Sequence, residues 1–200
     1  MASAMRCLVR LPLLVGPDTS TTVRATETAL EFASVLRSYA GKVTDAAGGR
    51  AAFQVLVLPY REVTEGFEYA LFRRADAAYW QGVAGGGEAG ESPLQAAWRE
   101  TAEEAGLTGD LDFVALDARA TVPVVYVTGE FTWGPKVLVI PEFAFGVRAV
   151  GDGFTLSDEH TEYGWFTVDG ATKAVRWDSN RTALWELDHR LRHGLVHPAD

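Results

Sequence analysis

Residues 85–107 read GGGEAGESPLQAAWRETAEEAGL and carry six charged side chains, five of them carboxylates. Ser92 is a strong helix N-cap, Pro93 suits the first helical position, and Gln95 can close a capping box back onto Ser92. Gly106 stands where a helix end takes a left-handed residue. The spacing predicts a helix over 93–105, with Leu94, Ala97, Trp98, Thr101, Ala102 and Ala105 as its core-facing stripe. At ~100° per residue, Glu100, Glu103 and Glu104 share an arc of roughly 100° on another face. A solvated, salt-bridged face would place basic partners three or four residues away. Arg99 can serve Glu103, but Glu100 and Glu104 have no basic residue at that spacing in this helix. Two carboxylates ~6 Å apart repel by roughly 3 kcal/mol at an effective dielectric near 20. A hard divalent cation, Mg2+ or Mn2+, held by carboxylate oxygens offsets that repulsion and explains the face better than solvation does.

Upstream, VAGGGEAGE is too glycine-rich for a strand interior and reads as a loop that brings backbone close to a metal or phosphate. Further out, FQVLVLPYR (53–61) and FEYALFRR (67–74) flank the turn-like EVTEG and predict a hairpin. DLDFVALDA (110–118), VPVVYVTGEF (122–131), KVLVIPEFAFGV (136–147) and the short YGWFTV (163–168) read as further strands. A second helix is expected over 179–192, with Leu184, Trp185, Leu187 and Leu191 on one stripe. Strands in the majority with two or three helices imply a mixed sheet covered on its faces, an α/β class. At the other end, Ala25, Ala29, Phe32, Ala33, Leu36 and Tyr39 fall at helical spacing, and TDAAGGR (44–50) reads as a linker. The expected organisation is therefore a partly helical extension over residues 1–50 and one domain over 51–200.

The bulk numbers narrow the function. A net charge of −9 argues against a general nucleic-acid binder, which wants a basic stripe. It leaves room for an anionic substrate screened by cations. Cys7 is the single cysteine, so neither an intrachain disulfide nor a multi-cysteine zinc site can form. His160, His189, His193 and His197 form no HExxH pattern. Arg10 and Pro12 interrupt the apolar start MASAMRCLVRLPLLVG, and no apolar run has the length of a membrane span, so the cytoplasm is the expected compartment.

The box pattern resembles that of the Nudix hydrolases, Gx5Ex7REUxEExGU, where U is a bulky aliphatic residue. Gly85, Glu91, Arg99, Glu100, Glu103, Glu104, Gly106 and Leu107 occupy its fixed positions, and Thr101 is the one departure. Thr101 lies on the core stripe, where its hydroxyl can bond back to the Ala97 carbonyl. The flanking LFRRADAAYWQGVAGG, LSDEHTEYGWF and WDSNRTALWEL resemble the Nudix subgroup acting on dihydroneopterin triphosphate or dATP. The resemblance implies an α/β/α sandwich on a central mixed sheet, with the box as a loop-helix-loop. It implies hydrolysis of a pyrophosphate bond in a nucleoside diphosphate linked to X, such as a (d)NTP giving monophosphate and pyrophosphate, with Mg2+ or Mn2+. By the same resemblance Glu100, Glu103, Glu104, Glu159 and the Ala84 carbonyl are metal ligands. Glu103, Glu104 and Glu159 are the catalytic candidates, with the base left open between Glu103 and Glu159. Arg73, Trp80, Ala84, Gly85 and Gly86 contact substrate, while Glu91, Arg99 and Gly106 hold the box. His160 reads as a fold-supporting residue rather than a catalytic one. Trp80, Trp133, Phe143 and Trp177 are the rings that could stack on a base or pterin, against their ordinary role in packing. The expected partner is a phosphorylated small molecule, with no nucleic-acid duplex or membrane, and the extension could join a homodimer. Rival readings are a non-hydrolytic Nudix-fold metabolite-binding regulator and an isomerase; the latter asks for a reactive cysteine near the site, which Cys7 does not supply.

Overall fold

The computed structural model describes residues 49–200 except 128, 130, 132, 152, 197 and 200. Cys7, the expected helix within residues 21–42, the linker up to residue 48 and His197 lie outside the described residues. The hairpin forms as β1 (Arg50–Val63) and β2 (Gly66–Arg74), closed by a tight turn with Val63 paired to Gly66. The chain continues through β3 (Trp80–Gln81), β4 (Val83–Glu88), helix α1 (Pro93–Ala105), β5 (Phe113–Pro123), β6 (Val139–Arg148), β7 (His160–Phe166) and helices α2 (Val168–Ala174) and α3 (Asp178–His193).

β1 organises the sheet. Along one edge it runs parallel to β6; along the other it pairs antiparallel with β4 through its first half and with β2 at its end. β5 flanks β6, while β3 and β7 flank β2, giving seven strands in a mixed sheet. Alternation along β1 splits the core. Val55 and Val57 face one cluster with Ala96, Ala97 and Ala105 of α1. Leu56 and Leu58 face the other, with Ala171 of α2 and Ala183, Leu184 and Leu187 of α3. The expected three-layer α/β/α architecture is what forms.

Several local expectations need correction. VAGGGE is a strand, β4, despite its glycines. A Cβ on Gly85 would lie 1.9 Å from the Glu100 carboxyl carbon, one on Gly86 1.8 Å from Arg50 Nε, and one on Gly87 2.1 Å from the Phe53 ring. The glycines are there because neighbouring side chains occupy their Cβ positions, which outweighs poor strand propensity. Among its described residues VPVVYVTGEF is no separate strand: Val122 and Pro123 end β5, and Val124–Tyr126 form a 3-10 turn. Trp185 leaves the stripe assigned to it; one residue beyond the buried Leu184, it is 65% exposed and stacks on His189. α2 was not individually expected.

Helix α1 has the predicted ends. Ser92 and Gln95 form the capping box, and Gly106 adopts φ 67° with its N–H donating to the Ala102 carbonyl. Thr101 is fully buried, but its hydroxyl finds no hydrogen-bond partner, so the expected bond to Ala97 is not made. An orphaned buried hydroxyl costs about 1–3 kcal/mol. Thr101→Val, nearly isosteric, should therefore raise stability by about 1 kcal/mol with turnover close to that of the parent, as measured by chemical denaturation alongside an activity assay.

Candidate active site

Helix α1 lies against β4, and this contact builds the site. Glu104 is displaced ~40° from Glu100 around the helix and Glu103 ~60° in the opposite sense. The arc therefore divides: Glu100 and Glu104 turn inward and are buried, while the Glu103 side chain remains 58% exposed. The missing Cβ of Gly85 leaves room for the Glu100 carboxyl directly against β4.

Arg99 ties the box together. It donates to both oxygens of Glu91 at 2.9 and 3.0 Å and to the Gly86 carbonyl at 2.8 Å. It also reaches Glu100 at 2.9 Å and Glu103 at 3.1 Å. Glu91 in turn accepts the Glu88 N–H at 2.8 Å. Glu100 thus does have a cationic neighbour, contrary to the helix-spacing argument, because the extended Arg99 side chain can reach its sequence neighbour. Arg99 is nevertheless shared among three hydrogen-bonded carboxylates, with a fourth, Glu88, at 4.0 Å.

Glu104 has weaker company. Its Oε2 accepts the Ala84 N–H at 3.4 Å and lies 3.8 Å from His160 Nε2. Burial, then the Arg74 charge, holds His160 below its ordinary value, so it offers Glu104 no counter-charge at neutral pH. Burial, followed by the Glu100 and Glu159 charges, pushes the Glu104 carboxyl up to about 8. Burial is also the main cause that raises Glu100. Both ring nitrogens of His160 are buried without hydrogen-bond partners, and the ring packs 5.4 Å from Phe72.

A cavity of about 550 Å³ opens over these groups, lined by Ala84, Gly85, Gly86, Glu100 and Glu104 from the box region. Glu159 joins from the loop before β7, bonded at 2.5 Å to Arg74, which also grips Asp76. Glu103 is not among the lining residues. Nor are Arg73 and Trp80: Arg73 pairs with Glu162 at 2.7 Å, and Trp80 packs on Phe166. Of the two adjacent arginines it is Arg74 that lines the cavity, and alternation along a strand sends neighbours to opposite faces. Of the other candidate rings, Trp177 lines the cavity, whereas Phe143 packs on Phe53 and Trp133 on Phe131. Arg50, Gln54, Tyr79, Tyr126 and Glu142 also line it and were not anticipated. No local motif marks them; strand pairing brings Arg50, Gln54 and Glu142 together, while Tyr79 and Tyr126 come from connecting segments.

Among the described residues, no group of three His, Cys, Asp or Glu side chains is arranged to hold a metal ion alone. The donor set nonetheless fits a hard cation: two buried carboxylates, each raised mainly by burial and Glu104 also by the Glu100 charge, beside a strand whose side-chain-free backbone touches one of them.

The NUDIX domain model matches residues 52–185. The chain belongs to the Nudix family. A Listeria monocytogenes protein assigned to the NUDIX hydrolases is 36% identical, with a TM-score of 0.67 over 74% of this chain and all of its own. Two more distant likenesses bear on the fold alone. The E. coli dihydroneopterin triphosphate pyrophosphohydrolase has 22% identity and a TM-score of 0.59, over 72% of this chain and 99% of its own. A C. elegans Ap4A hydrolase has 21% identity and a TM-score of 0.57, over the same shares. No curated protein matches the chain. The protein is a Nudix pyrophosphohydrolase, of a family that generally uses divalent metal ions. No helix among the described residues is long and apolar enough to cross a membrane.

Proposed function

We propose that this Nudix protein hydrolyses a phosphoanhydride bond in a nucleoside diphosphate linked to X, a nucleoside triphosphate giving monophosphate and pyrophosphate, with Mg2+ or Mn2+. The observation that carries the reading is the buried Glu100–Glu104 pair at the head of a cavity, with more negative charge than Arg99 can neutralise. Glu100, Glu104 and the Ala84 carbonyl would hold the cation, with Glu159 as a further ligand. Bound there, a divalent ion supplies Lewis acidity toward phosphoryl oxygens and makes a water more acidic.

The chain's own groups do the rest. Arg50 and Arg74 line the cavity and bring positive charge to the substrate's phosphate oxygens. Arg99 and Glu91 lock the helix against β4, fixing where the two buried carboxylates point. Of the two candidate bases, Glu159 lines the cavity, whereas Glu103 is held by Arg99 outside it. This placement favours a Glu159 oxygen as acceptor of the attacking water's proton, with Glu103 steadying Arg99. Substrate contacts then fall to Arg74, Ala84, Gly85 and Gly86 rather than to Arg73 and Trp80. The domain would begin by Arg50, which opens β1 and lines the cavity, with the extension before it.

The test is product release from a panel of substrates: pyrophosphate from nucleoside triphosphates and dihydroneopterin triphosphate, and mononucleotide from ADP-ribose and dinucleoside polyphosphates. With Mg2+ at least one substrate should turn over, and excess EDTA should reduce the rate to background, with recovery on adding Mg2+ back. Undiminished turnover after dialysis against EDTA would sink the metal reading.

A further inference from the structure

The cavity holds one buried carboxylate that hydrolysis does not use. Gly86 on β4 pairs with Gln54 on β1, Gln54 pairs with Glu142 on β6, and Glu142 pairs with Ala120 on β5. All four line the cavity. Adjacent strands lie ~4.8 Å apart, so Glu142 stands two spacings, about 10 Å, from the box glycine. Phosphates seated at the box would leave the ring of a nucleotide-like substrate toward Glu142.

Glu142 is 5% exposed. It accepts Gln54 Nε2, a neutral donor, at 3.0 Å, and Ser179 also lines the cavity. An ionised carboxylate has about four acceptor sites, so this bond leaves capacity for at least two more. Burial raises the Glu142 carboxyl above its ordinary range, and the neighbouring Ser179 and Gln54 donors counter this. Further N–H donors would replace hydration that burial has removed. Beside it the cavity wall is aromatic: Trp177 packs 5.8 Å from both Tyr79 and Tyr126, and Tyr126 is 64% exposed.

We propose that Glu142 selects the substrate by its ring, accepting two adjacent N–H groups from a 2-amino-oxopyrimidine edge, as in guanine or a pterin, with Trp177 and Tyr126 along the ring faces. This rests on the hydrolytic reading for the position of the phosphates. The edge chemistry discriminates because an ionised carboxylate is acceptor-only. Adenine and cytosine set an acceptor nitrogen beside their amine, and uracil sets carbonyls on both sides of its N–H. Each would place an acceptor against a Glu142 oxygen.

The test has two readouts. One is kcat/KM with Mg2+ for guanine, adenine, cytosine and uracil nucleoside triphosphates and dihydroneopterin triphosphate. The other is metal-free binding of guanosine, adenosine and neopterin, followed by tryptophan fluorescence. The unmodified protein should prefer guanine or pterin compounds at least about 10-fold, and the two arms tell which. Glu142→Gln should shrink that preference roughly 10–100-fold, mainly through KM, since one bidentate edge contact is worth about 1–3 kcal/mol. Trp177→Leu should weaken all rings together and leave their ratio intact, separating stacking from edge recognition. If Glu142→Gln does not fold, the preference of the unmodified protein decides the matter. Hydrolysis indifferent to the ring, or a preference that Glu142→Gln leaves intact, overturns the role of Glu142 while hydrolysis stands. Ring-selective binding, lost in Glu142→Gln, without hydrolysis of any substrate does the reverse. Neither binding nor hydrolysis overturns both.

Discussion

Glu104→Gln should lower turnover by roughly 100-fold or more and yet stabilise the metal-free protein. Replacing a partner that merely orients a metal ligand costs about 10–100-fold, so losing a ligand should cost at least that much. The amide keeps the shape and can still accept the Ala84 N–H, which leaves packing intact. The stability gain has a definite pH dependence. Burial and the neighbouring Glu100 and Glu159 carboxylates raise Glu104 from an ordinary 4.5 to about 8 in the fold. Between those values the folded state binds more protons than the unfolded state, so the metal-free parent loses stability as pH rises. The loss begins above about pH 4.5 and levels off above about pH 8. Glutamine does not titrate, so the variant should gain over the parent across that window, on the order of 5 kcal/mol at its upper end. Thermal melts in EDTA from pH 5 to 9 measure this, and added Mg2+ should stabilise the parent far more than the variant. A variant that unfolds more readily at every pH while keeping its turnover per molecule would show Glu104 to be a packing residue.

Which parts of this site can be read from the sequence depends on how local their causes are. The ends of α1 follow from Ser92, Gln95 and Gly106 alone, since caps act within one turn. The pairing of Glu100 with Glu104 follows from helical spacing, and the box pattern identified the family. What failed was non-local. The strand character of Val83–Glu88 depends on Glu100, Arg50 and Phe53 occupying the space above its glycines, which no local propensity records. The choice between Arg73 and Arg74 turns on a single step of strand alternation beside a register shift in the β2–β7 pairing. Glu103 shares the acidic arc, but its ion pair with Arg99 and its position at the solvent edge of α1 separate it from the cavity. Arg50, Gln54 and Glu142 come from segments that read simply as linker or strand, and meet only once β1 pairs with β4 and β6.

Glu159→Gln should lower kcat by roughly 100-fold or more with a much smaller rise in KM, while Asp158→Asn stays near the parent in both. The adjacent carboxylates differ in how the fold holds them. The Glu159 carbonyl accepts the Ala75 N–H at 2.8 Å, which ties the loop to the end of β2. Its side chain meets Arg74 at 2.5 Å and lines the cavity. Asp158 is exposed and lines no part of the cavity. A group that takes a proton in the transition state contributes about 10²–10⁴-fold to rate and little to ground-state binding, which sets the expected division between kcat and KM. A role confined to pairing with Arg74 predicts something else: a freed arginine, altered substrate affinity and a largely preserved kcat. Steady-state kinetics of both variants across a Mg2+ titration separate these outcomes. If Glu159→Gln impairs kcat only at low Mg2+ and recovers at saturation, the carboxylate serves as a ligand rather than as the base. If Asp158→Asn proves the impaired variant, the proton acceptor lies one residue earlier in this loop and Glu159 has been misassigned.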